Sequence, residues 1–225
     1  MESLLQIVVL LAFVRFSCRA TFFRSIWGII AFATIVAVTS FLCYPIVIEQ
    51  SGDFYSTLLA DATLVGNVAV LITLEAIAGM LLSIGLLQTL FQNKRKTQLQ
   101  KLIFLPEILI IGAVLYAEQQ MFYLFPGYDF KITAILTAFA FAGIVGGFAF
   151  LMRWALPEQG SRYELNFLIN LLLLVVAILL NAGLSSYNTG NYQSNVEWQS
   201  AVVFLGVIAI LFALGFGLYR LKLKN

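Results

Sequence analysis

Residues 64–96 read LVGNVAVLITLEAIAGMLLSIGLLQTLFQNKRK, a long, almost wholly apolar run that stops at Lys94, Arg95 and Lys96. About 20 such residues suffice for a helix to cross the hydrocarbon core of a bilayer, and a basic run directly after the apolar one marks the cytoplasmic face. This segment therefore reads as a transmembrane helix running from outside to inside.

The same character recurs on both sides of it. Apolar stretches cover residues 4–18, 26–48, 102–125, 132–155, 165–184 and 201–219, so seven candidate spans fill most of the 225 residues and leave short connections. Taken alternately, one set of connections holds Arg15, Arg19, Arg24, Lys94, Arg95, Lys96, Lys101, Arg153, Arg162, Arg220, Lys222 and Lys224, and the other holds Lys131 alone. Basic residues accumulate on the cytoplasmic side of membrane proteins. The expected fold class is all-α, a polytopic membrane helix bundle of about seven transmembrane helices with its N-terminus outside and its C-terminus cytoplasmic. The first stretch ceases to be strictly apolar at Arg15, and if it is interfacial the count falls to six. Charges follow that stretch rather than precede it, which disfavours a signal peptide. Arg15 and Arg19 are expected to reach the inner interface on their long stems.

With 61% hydrophobic and 11% charged residues, the chain cannot build an ordinary soluble surface, which is roughly 25% charged. Residues 1–225 read as a single integral membrane domain in the lipid bilayer, with no soluble domain, and the charge bias suits a bacterial inner (cytoplasmic) membrane. The net charge of +2 follows from topology, so no nucleic acid partner is expected. Histidine is absent, which removes the usual haem ligand, the commonest zinc ligand and the commonest general base. No metal site, cofactor or enzyme activity is expected. Cys18 and Cys43 fall at different depths and read as packing residues.

Three carboxylates fall inside the spans: Glu75, Glu107 and Glu118. An ionised carboxylate in hydrocarbon costs at least about 2.5 kcal/mol on insertion scales, so each must face protein or water. Glu107 and Glu118 are eleven residues apart, which on a continuous helix returns to nearly the same face. Glu75 lies near the middle of its span with the small residues Gly79 and Ser83 in line, where another helix can come close. Asn166 and Asn170 lie one turn apart and Asn181 shares their stripe, while Asn67 adds a polar group near the start of the third span. In the fifth span Ala134, Ala138, Ala142 and Gly146 recur every four residues, and Gly143 and Gly147 form GxxxG, a face on which helix backbones approach closely in lipid.

Such polar groups serve in many membrane proteins only as hydrogen-bonding glue between helices. Acids without a basic residue inside the spans argue for more, because neutral glue can be made from Asn or Gln with no charge to desolvate. Two readings of function remain. One is a non-catalytic multi-pass subunit of a larger inner-membrane protein complex, linked to proton or ion movement through its intramembrane glutamates and packed against other membrane subunits or a second copy of itself. The other is a small proton- or cation-coupled carrier or channel acting alone. The first is preferred, since no transport motif rises above helix packing.

Overall fold

The computed structural model of the chain describes residues 2–23, 25–49, 55, 61–91, 107–125 and 127–188. Met1–Ser185 forms one compact unit and Ser186–Asn225 another, and every contact given below lies within the first. The apolar stretch 201–219 lies outside the described residues.

The described residues form six helices: α1 (Glu2–Ala20), α2 (Ile26–Glu49), α3 (Ala62–Phe91), α4 (Ile108–Leu124), α5 (Phe130–Ala155) and α6 (Gln159–Asn188). All of these but α4 contain segments long and apolar enough to cross a membrane. In hydrocarbon a helix is the one open-chain structure that satisfies its own backbone N–H and C=O groups. The hydroxyls follow the same rule: Ser17, Thr34, Thr39 and Thr73 each donate to the carbonyl four residues back, at 2.7–2.9 Å. Trp27, Leu42, Leu74, Phe139 and Phe150 point outward, each more than 60% exposed. An apolar exterior of this kind is what a lipid environment covers.

Inside, α2 and α5 pack along their length. The α2 stripe runs Ile29, Phe32, Val36, Ser40, Cys43, Val47, and the α5 stripe runs Ala134, Ala138, Phe141, Val145, Ala149. Both follow the three-and-four spacing of a helix face. Phe16 meets Phe32 at 4.8 Å between ring centroids, and Phe22 stands edge-on to Tyr163 at 4.8 Å. These contacts fasten α1 to α2 and the end of α1 to the start of α6.

Two expectations need correction. Gly143 and Gly147 lie off the α5 packing stripe: both are exposed, and a Cβ added to either meets nothing within 4 Å. Of the α5 glycines only Gly146 comes near α2, at Ala33. Among the described residues Ala134, Ala138 and Ala149 with the larger Phe141 and Val145, rather than the GxxxG pair, form the buried face of α5.

The fourth apolar stretch is also not one continuous helix from end to end, and its residues 102–106 lie outside the described residues. α4 begins at Ile108, and Glu107 is its N-cap with extended backbone angles of φ −94° and ψ 116°. Position 106 is a proline, which lacks the N–H a continuing helix needs and clashes with the turn before it. Glu107 and Glu118 therefore do not share the stripe of one continuous helix. α5, by contrast, has a conventional start: Gly127 turns the chain with φ 96°, and the Asp129 carboxylate accepts from the Lys131 N–H at 2.8 Å.

Candidate functional site

The helix register of α1 places Arg15 and Arg19 one turn apart on the same face. That face is inward. Their side chains are 3% and 5% exposed, so neither reaches an interface as expected from the end of an apolar run. Each meets a carboxylate. Arg15 Nη1 pairs with Glu75 Oε2 at 3.1 Å, its Nη2 donates to the Glu75 main-chain carbonyl at 3.2 Å, and its Nε stands 3.6 Å from Glu107 Oε1. Arg19 Nη1 closes an ion pair with the same Glu107 oxygen.

The start of α4 completes the cluster. The first N–H groups of any helix lack partners within it, and here they would be stranded in the interior. Glu75 reaches across from α3 to supply one: its Oε1 accepts from the N–H of Ile108 at 2.5 Å and of Leu109 at 2.9 Å. Glu75 lies 13 residues from the start of α3 and 16 from its end, about 20 and 24 Å at 1.5 Å per residue. A helix therefore begins near mid-height of the bundle, capped by another helix's carboxylate. Two arginines and two glutamates sum to zero formal charge, and both Glu75 oxygens are occupied.

Glu118 is different. It sits on α4 ten residues beyond Ile108, fully buried, with neither carboxylate oxygen hydrogen-bonded among the described residues. Its polar neighbour is the Ser40 hydroxyl of α2, itself fully buried and without a hydrogen bond, with Cys43 one turn further along that helix. Tyr55, from the connection between α2 and α3, stacks edge-on against Tyr116 at 5.0 Å. Burial, then Tyr116 and Cys43, push the Tyr55 phenol up to about 12, so it stands there uncharged. Gln119 turns away to donate to the Tyr123 hydroxyl at 2.9 Å.

A separate polar seam joins α3 to α6. Asn166 Nδ2 donates to Ser83 Oγ at 2.7 Å, Ser83 donates on to the Gly79 carbonyl at 2.9 Å, and Asn170 Nδ2 donates to the Asn166 carbonyl at 2.6 Å. A Cβ at Gly79 would overlap the Asn170 carboxamide. Asn67 and Asn181 are exposed and stand apart from this seam. A largely apolar cavity of about 550 Å³ opens between α1, α4 and α5, lined by Phe13, Ser17, Tyr116, Gln120 and Phe141 among others. None of Glu75, Glu107 and Glu118 lines it. Among the described residues no three His, Cys, Asp or Glu side chains converge on a point that could hold a metal ion.

The signal that sequence reading missed was the spacing of Arg15 and Arg19. Two basic residues four apart form one polar helix face that can meet acids from other helices; taken singly, each looks like a charge at the end of a span. No family model matches this chain, no curated protein matches it, and no solved structure matches it.

Proposed function

We propose that this chain is a non-catalytic multi-pass membrane subunit of a larger assembly, linked to proton movement through Glu118, while Glu75 and Glu107 serve structure. The contrast among the three acids carries this reading. Glu75 and Glu107 are neutralised by Arg15 and Arg19, and Glu75 is further committed to capping α4. Among the described residues Glu118 has no hydrogen-bonded partner. An acid in a membrane interior is costly and marks a working site unless it is paired. If bonding to Ser40 were all that position 118 needed, Gln would supply it with no charge to desolvate.

The orientation in this reading has the α1 start outside and the C-terminus in the cytoplasm of a bacterial inner membrane, supported by the one-sided distribution of Lys and Arg. It puts Glu118 in the outer half, about 9 Å from the end of α4 at 1.5 Å per residue. The cavity between α1, α4 and α5 favours a second reading, a carrier for an apolar solute acting alone.

The test is Glu118→Gln in protein extracted in mild detergent and reconstituted in vesicles holding a pH-sensitive dye. Wild type should co-purify with a stoichiometric partner and pass protons. The Gln variant should keep the partner, reduce proton flux to background and lose labelling by a hydrophobic carbodiimide, a reagent for buried protonated carboxyls. Glu118→Asp should retain part of the flux. A Gln variant with unchanged flux and its partner still bound would sink the proposal; a lone protein with Glu118-dependent flux would shift it to the carrier.

A further inference from the structure

From the junction of α5 and α6 we infer a binding site for a phosphate-class oxyanion, held by Arg162 with Arg153 beside it. Arg162 lies in the first turn of α6 and is only 4% exposed, yet its Nε and Nη1 carry no hydrogen bond and it forms no ion pair among the described residues. A guanidinium has five N–H donors and no way to discharge itself, so a buried one without a carboxylate lacks its counterion.

The chain has few counterions to offer at this end. The two acids of the same connection, Glu158 and Glu164, are exposed, and neither pairs with Arg162. Glu107 is already taken by Arg15 and Arg19. The other segments on the basic side of the charge pattern, residues 92–106 and 200–225, contain no Asp or Glu at all. Among the charged groups that act on Arg162 the strongest is a second cation, Arg153, in the last turn of α5.

Two guanidiniums in proximity, one of them buried, repel each other unless an anion lies between them. The surrounding structure suits a tetrahedral oxyanion. The planar guanidinium fork matches pairs of phosphate oxygens, and the first turn of α6 adds N–H groups that have no partner within the helix. The site is held in place before any ligand arrives: Cys18 of α1 contacts the Arg162 carbonyl at 3.6 Å, and Tyr163 packs against Phe22. Trp154, next to Arg153 in the sequence and 77% exposed, is of the residue type enriched at membrane interfaces. The oxyanion is the headgroup phosphate of an acidic lipid or a soluble phosphate; the chemistry of recognition is the same.

The experiment compares thermal unfolding of the full chain in nanodiscs of phosphatidylcholine alone, of phosphatidylcholine with phosphatidylglycerol, and of phosphatidylcholine with added inorganic phosphate. Wild type should shift upward by several degrees with phosphatidylglycerol if a lipid is the source, or with inorganic phosphate if a soluble anion is. Arg162→Gln should lose that shift. In phosphatidylcholine alone it should melt close to wild type, because the choline of that zwitterionic headgroup already balances its phosphate and leaves little net charge to offset the buried guanidinium. Lys131→Gln, at the other end of α5, should keep the shift. A wild type that responds to neither anion overturns the site, as does an Arg162→Gln variant that responds like wild type. Should Arg162→Gln not fold, Arg153→Gln takes its place, and an undiminished shift in that variant counts equally against the site.

Discussion

Replacing Arg15 by methionine should destabilise the bundle by about 3–5 kcal/mol, the cost of leaving a buried charge without its partner. Methionine keeps much of the length and apolar stem of arginine, so the loss is electrostatic rather than a cavity. Glu75 would keep the two N–H groups of Ile108 and Leu109 but lose the cation on its other oxygen. Glu107 would depend on Arg19 alone. The double variant Arg15→Met with Glu75→Gln should recover much of the loss, because the glutamine oxygen can still cap α4 while the unpaired charge is gone. Glu75→Leu with Arg15→Met should recover less, since it strands the α4 N–H groups, and a lost cap alone costs about 1 kcal/mol. Unfolding in mixed micelles measures all three. An Arg15→Met variant within about 0.5 kcal/mol of wild type, the range of ordinary surface substitutions, would mean that the cluster does not hold the helices.

That cluster also marks where sequence reading stops. Hydropathy reports the cost of moving a segment into lipid, so it located the bodies of α2, α3 and α5 to within a few residues of Ile26–Glu49, Ala62–Phe91 and Phe130–Ala155. It cannot report a partner. Arg15 and Arg19 were legible as charges, but that they turn inward depends on carboxylates 60 and 88 residues away. The same blindness made Glu75, Glu107 and Glu118 look alike, although only the packed bundle separates two neutralised acids from one without a hydrogen bond. Hydropathy likewise ran the fourth span past Pro106, and it began α6 late because Arg162 and Glu164 are charged yet helical. In both places local apolarity and backbone continuity part company.

The α3–α6 seam offers a sharper test of how close two of these helices lie. Gly79 is buried, and the space a side chain would need is filled by the Asn170 carboxamide. Gly79→Leu should therefore force the helices apart or turn Asn170 out of its bond to the Asn166 carbonyl, with a loss of about 1–3 kcal/mol typical of overpacking. Gly79→Ala should cost less, because the obstructing atoms belong to the end of one side chain. Asn170→Ala beside Gly79→Ala should restore much of the Gly79→Ala loss by vacating the overlapped volume. Gly112→Ala is the control: it lies inside α4, a Cβ there meets nothing within 4 Å, and helix propensity alone predicts a gain of up to about 1 kcal/mol. If steric closeness is the cause, stability at position 79 falls with side-chain size and recovers when Asn170 is shortened. Gly79→Leu and Gly112→Ala proving equally harmless would mean that α3 and α6 stand further apart than the 2.7 Å bond between Ser83 and Asn166 requires.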